Sequence, residues 1–181
     1  MCPMKLMTAE ELLVRQPPHM RSELVEGLMR VREPGAYRHG AVAATVGALL
    51  FNWVHPRKLG VVVGAETGFI LRRRPDSVRA PDAAFISNDR LPPPDVVGYA
   101  ELAPDLVVEV RSRGDRTGEM CERTDDWLRA GVRLVWHIDP ARRRGAVHRG
   151  DGSVTQIDAD GAFVGEAVLP GFVMTLVEVL D

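Results

Sequence analysis

Residues 106–110, Leu-Val-Val-Glu-Val, constrain the fold of this chain more than any other stretch. An almost unbroken aliphatic run of that length reads as a strand covered on both faces, near the centre of a sheet. Strand alternation puts Glu109 on the side of Val107 and Arg111, with Leu106, Val108 and Val110 on the other. A buried carboxylate without a partner is costly, so Glu109 requires a cation, supplied by the chain or by a bound metal. A charge so placed is a candidate site residue.

The 181 residues suit one domain, 1–181, large enough to bury a core without disulfide or metal staples. Hydrophobic content of 45% with 27% charged residues excludes disorder as the default, and no repeat or low-complexity tract is present. Cys2 and Cys121 form no C-x-x-C pair, which predicts a reducing interior and no structural zinc. The first residues lack a long apolar segment, and no run approaches the roughly 18 apolar residues of a membrane span. The expectation is a cytoplasmic protein with no membrane partner. A net charge of −2 and a pI near 6.2 exclude a blanket polyanion binder, so any basic surface is local. Arginines cluster at 72–74, 111–116 and 142–144, and each cluster taken alone reads as solvated loop charge.

In chain order, Thr8 and Glu11 have capping-box spacing for a short helix that Pro17-Pro18 ends. Residues 23–31 read as a ribbon turning at Gly27. Val42, Val46, Leu49, Leu50 and Trp53 recur at helical spacing, predicting an amphipathic helix over 36–54 stopped by Pro56. His39 extends its buried stripe and reads equally as a packing residue or as a site contact. Strands follow at 60–63 and 68–71, then a polar turn at 72–77. Pro81-Asp82 enters a strand of small residues. Over 115–129 a helix places Met120, Thr124, Trp127 and Leu128 on one face, with Arg123 near its boundary and Gly131 as its C-cap. A strand at 134–139, a hairpin around Gly150-Asp151-Gly152 and a short segment at 173–180 complete the chain. The sum is a mixed α/β fold with a central sheet flanked by helices on both sides.

Asp82 and Glu109 converge if their strands are neighbours, as sequential strands usually are. Hard divalent ions take one or two carboxylates and leave the other positions to water and phosphate oxygens, which is the chemistry of phosphodiester hydrolysis. Arg111, two residues from Glu109 on the same face, is placed to stabilise charge on a reacting phosphate.

Pro81-Asp82 followed by Glu109-Val110-Arg111 resembles the Pro-Asp...(Asp/Glu)-x-Lys signature of the restriction-endonuclease-like superfamily. The order of Glu23-Leu-Val-Glu-Gly, His39, Pro81-Asp82, residues 104–110, Val135-Trp-His-Ile-Asp-Pro and Leu169-Pro-Gly-Phe is similar to the Uma-two family across nearly the whole chain. The resemblance implies a restriction-endonuclease-like central sheet, to which the chain adds a C-terminal β-hairpin. It implies a metal site at Asp82 and Glu109, Glu23 as a further acidic member and His39 nearby. It also implies Mg²⁺ or Mn²⁺, a DNA substrate and a homodimer. The chain departs from the pattern in carrying Arg111 for the superfamily lysine and Arg123 for the lysine that the family often places on the following helix. Arginine holds phosphate but cannot take a proton from water, so water activation falls to the metal or to Glu23. The expected function is a metal-dependent DNA endonuclease with Glu23, Asp82, Glu109, Arg111 and Arg123 as its catalytic set. The competing expectation is a nucleic-acid-binding protein without catalysis, in which Glu109 and Arg111 form a buried ion pair.

Overall fold

The computed structural model describes residues 6–15, 20–112 and 114–181. The expected roles of Cys2, Pro17-Pro18 and the first residues therefore lie outside the described residues. Helix α1 (Ala9–Arg15) precedes the ribbon of β1 (Arg21–Val25) and β2 (Leu28–Arg32), and α2 (Tyr37–Arg57) follows. Next come β3 (Gly60–Gly64), β4 (Phe69–Arg72), β5 (Ser77–Arg79), β6 (Ala83–Ser87) and β7 (Leu106–Val110). Helix α3 (Thr117–Arg129) leads to β8 (Leu134–Asp139), β9 (Arg144–Arg149) and β10 (Val154–Ile157). The chain closes with β11 (Ala162–Val164), β12 (Val173–Thr175) and α4 (Leu176–Leu180).

The six-stranded sheet has the order β10-β9-β8-β7-β6-β3, so β7 lies inside it and every residue of Leu106–Val110 is buried. β7 pairs antiparallel with β6 and parallel with β8, and α3 makes the crossover that a parallel pair requires. Alternation along β7 assigns its two faces. Leu106, Val108 and Val110 pack with Val42, Val46, Leu50 and Val54 of α2, whereas Val107 packs with Trp127 of α3 and with Val135. Glu109 therefore faces α3. The C-terminal hairpin of β11 and β12, with α4, adds Phe163, Met174 and Leu176 to the α2 side of the core.

A smaller sheet of order β2-β1-β5-β4 stands beside this layer. Phe69 of β4 meets Trp127 edge-on, tying the smaller sheet to the α3 side. Asp105, fully buried just before β7, accepts from Ser87, Arg90 and Arg133 and pins the start of the strand.

Three details depart from expectation. Helix α2 runs through Pro56 to Arg57 and ends at Lys58, which is left-handed at φ 53°. Pro56 lies in the last turn, where the bond it cannot donate is one of the helix's final ones and costs little order. The three-residue strand β5 was not anticipated, because Ser-Val-Arg is too short to show alternation. Arg73 lies in a turn but is no solvated charge: it holds Glu10, Asp76 and Glu101, and Asp76 is buried.

Candidate active site

Between the smaller sheet, α3 and the end of β7 lies a cleft of about 690 Å³ lined by Glu23, His39, Asp82, Glu109 and Arg123. Each side chain arrives there for a local reason. Glu109 comes from the α3 face of β7. Ala83 of β6 pairs with Val108, so one further step of that register sets Asp82 across from Glu109. The Asp82 amide still donates to the Val108 carbonyl (3.1 Å), but the chain bends here. The bend brings Oδ2 to the Val110 amide (2.7 Å), where a continued strand would have offered a carbonyl. His39, in the first turn of α2, approaches the same Oδ2 through Nε2 at 3.2 Å.

Glu23 and Arg123 meet in the same place from far apart in the chain. On the β1–β2 ribbon Arg21 pairs with Arg32 and Glu23 with Arg30, and cross-strand partners share a face. The polar face of the ribbon thus carries Glu23 toward α3. Arg123 sits on the same side of α3 as Trp127, and both are buried. Its Nη1 donates to both Glu23 oxygens (2.6 Å each), and its Nη2 to the Ala80 carbonyl (2.9 Å) and to Glu109 Oε1 and Oε2 (2.8 and 2.9 Å). Nε donates to Glu109 Oε2 (3.1 Å). A guanidinium has five N–H donors, and none is left over.

The acceptors are equally committed. Glu109 Oε1 also accepts from the Trp127 indole (2.7 Å), so each Glu109 oxygen has two donors. Glu23 adds the Ala80 amide (3.1 Å) and Arg79 Nη1 (3.0 Å) to its two contacts with Arg123. An ionised carboxylate offers roughly four lone-pair sites, so Glu23 is filled, and Glu109 is nearly so, with one Arg123 N–H shared between its two oxygens. Arg79, buried on β5, spends its remaining donors on Asp126 (2.9 and 2.6 Å). Asp82 differs. Its Oδ1 takes no hydrogen bond from any described residue, and the side chain lines the cleft.

The electrostatics follow from burial and these partners. Burial resists ionisation of Glu23, but the charges of Arg123 and Arg79 overcome it and hold the carboxyl down at about 2. Burial pushes Glu109 up; Arg123 opposes the shift and the Asp82 charge adds to it. Burial likewise resists ionisation of Asp82, yet its bond to His39 leaves it below the usual carboxylate range. The same bond raises His39.

Arg111 is not part of this ring. It is the ring's Arg123, and not Arg111, that forms the ion pair with Glu109. The N-terminal turn of α3 takes up the Arg111 guanidinium, through the Asp115 carbonyl (3.3 Å) and the Thr117 hydroxyl (3.2 Å), with Asp139 3.7 Å away. Sharing a face with Glu109 was not enough, because α3 lays Arg123 directly over that carboxylate.

A hard divalent ion can be tested against this donor set. Asp82, with Oδ1 available toward the cleft, fits an ion held by one carboxylate, water and phosphate oxygens. Glu109 as held fits poorly, since three N–H groups of Arg123 and Trp127 already crowd its two oxygens. Among the described residues no three of His, Cys, Asp or Glu are grouped to hold an ion.

Sequence reasoning missed Arg79, the Trp127 indole and the ribbon arginines Arg21, Arg30 and Arg32, which also line the cleft. Each ribbon arginine faces an acid: Arg21 with Glu66 (3.3 Å), Arg30 with Glu122 (3.3 Å) and Arg32 with Asp115 (3.0 Å). The alternation Arg21-x-Glu23 opposite Arg30-x-Arg32 was the available signal.

A mixed sheet with a helix on each face and an acidic cluster at the end of its central strands defines a restriction-endonuclease-like fold. Residues 9–177 match the family described as "Uma2: Putative restriction endonuclease", and the chain belongs to that family. A solved structure from Anabaena variabilis, described as "a putative nuclease belonging to DUF820", is similar with a TM-score of 0.85 at 18% identity. That likeness covers 96% of this chain and 97% of the other. No curated protein matches the chain. No helix among the described residues is long and apolar enough to cross a membrane.

Proposed function

We propose that this protein is a DNA endonuclease that hydrolyses phosphodiester bonds with the aid of Mg²⁺ or Mn²⁺. The observation that carries the reading is Asp82: a buried carboxylate in the cleft of a nuclease-family fold, with one oxygen committed to β7 and His39 and the other uncommitted. When bound there, the metal would lower the pKa of water and neutralise charge on the phosphate.

The chain's own residues supply the rest. His39, whose pKa Asp82 raises, meets Oδ2 through Nε2 and so steadies the acid that would hold the ion. Arg21 and Arg30 can exchange Glu66 and Glu122 for DNA phosphates, because these exposed pairs hold weakly, and Arg32 lies beside them, bonded to Asp115. In this reading Glu23, Glu109 and Arg123 act by fixing β1, β5, β7 and α3 around Asp82. Arg111 steadies the start of α3 beside them. The acting form is proposed as a cytoplasmic homodimer of single-domain chains, with edge strand β3 and its exposed Val61 as the place where a second copy would add.

The closed ring favours a second reading, a nuclease fold that binds nucleic acid without cutting it. Incubation of purified protein with duplex and single-stranded DNA separates the two. The first reading predicts cleavage that requires Mg²⁺ or Mn²⁺ and disappears in Asp82→Ala. Retained DNA binding without cleavage under either metal supports the second, and undiminished metal-supported cleavage by Asp82→Ala contradicts the first.

A further inference from the structure

A divalent ion at Asp82 and the guanidinium of Arg123 would compete for one neighbour, Glu109. We infer that Arg123 shuts Glu109 out of the metal site, so that an ion in this cleft is held through Asp82 and water, and Glu109 ligates only if residue 123 has fewer donors. The inference rests on the proposed ion at Asp82, but it concerns which acid touches that ion.

The argument is one of donors and acceptors. Arg123 makes six close contacts from its three nitrogens, to Glu23, Ala80 and Glu109, and the Trp127 indole adds the last donor to Glu109. An ion binding Glu109 would have to sit against the Arg123 guanidinium, whose charge repels it, and beside three buried N–H groups that already crowd both oxygens. Arg123 is also permanently charged, so pH cannot release it. A lysine at the same position keeps the charge but brings three donors on a single nitrogen. It cannot reach both oxygens of Glu23, the Ala80 carbonyl and both oxygens of Glu109 together. A lone pair of Glu109 then opens beside Asp82.

Two N–H groups report on the two acids separately. The Val110 amide is bonded to Asp82 and the Trp127 indole to Glu109, so both can be followed by NMR during a Mg²⁺ titration. In the natural protein the Val110 amide is expected to shift and the Trp127 indole to stay. In Arg123→Lys both are expected to shift, with Mg²⁺ affinity raised about tenfold or more, the scale on which support of a metal ligand acts. Adding Glu109→Gln should cancel that gain.

A Trp127 indole that shifts with the same midpoint as Val110 in the natural protein overturns the inference, as does a folded Arg123→Lys protein whose indole stays fixed. Should the lysine variant fail to fold, the natural protein's two signals still decide. If neither signal moves in the natural protein while both move in the variant, exclusion by Arg123 stands and the proposed ion at Asp82 falls.

Discussion

Arg123 is the residue on which the site turns. Buried ion pairs gain little net stability over apolar packing, but removing one partner typically costs about 3–5 kcal/mol because the other charge is stranded. Here one guanidinium neutralises two buried glutamates, with Arg79 sharing the load on Glu23. Glu23, held at about 2 in the fold against an ordinary 4.5, gives a pH dependence of known sign. Its folded value is depressed, so its contribution is complete above the unfolded value and is lost as pH falls from about 4.5 through about 2. At about 1.4 kcal/mol per unit the upper limit is roughly 3 kcal/mol. Glu109 is shifted the other way, and protonating it in acid relieves the fold, so the whole protein's acid response is a difference of the two. Denaturant unfolding of Glu23→Gln isolates its share: the variant should be less stable at pH 7 and lose less than the natural protein between pH 4.5 and 2. Parallel losses would show that Glu23 is not held as described.

Among the elements, α3 depends on how it sits on β8. Thr124 donates its hydroxyl proton to the Met120 carbonyl (2.8 Å), which leaves the hydroxyl oxygen to accept from His137 Nε2 (2.7 Å). The proton of neutral His137 therefore sits on Nε2. Burial drives His137 down to about 3, with the His148 ring and nearby arginines adding to the effect. The unfolded chain takes up this proton near pH 6.5 and the fold does not, so stability is lost as pH falls from about 6.5 toward 3. His137→Gln should flatten the unfolding free energy between pH 6.5 and about 5, above the range in which Glu23 responds; an unchanged slope there would assign the loss to other groups. This element also shows what the sequence made legible. Alternation in β7 separated Glu109 from Leu106, Val108 and Val110, and helical spacing in α3 put Trp127 on its buried face; that the two faces meet is visible only in the fold. Arg123 looked like a boundary residue because arginine is rarely buried, and only the acids on β1 and β7, 100 and 14 residues away, make its burial tolerable. β5 and Arg79 stayed hidden for a related reason, since three residues carry no period.

At the scale of the whole molecule, the two sheets meet along a line of charge. The ring of Glu23, Arg123 and Glu109 joins the smaller sheet, α3 and the central strand, while the aliphatic core lies behind β7 against α2. The pairing of β6 with β7 and the two covered faces of β7 could be anticipated from local patterns. The division of the strands between two sheets could not, because it depends on β3 and β4 parting company after a short turn. Of the three buried acids that meet in this cleft, Asp82 is the one with an oxygen that takes no hydrogen bond from a described residue, and the proposed ion would bind there. Crystals of the natural protein grown with Mn²⁺ and measured at the manganese absorption edge test this most directly. The account predicts an anomalous peak beside Asp82 Oδ1 with Arg123 still bonded to both glutamates; a peak shared by Asp82 and Glu109, with the Arg123 guanidinium displaced, would contradict it.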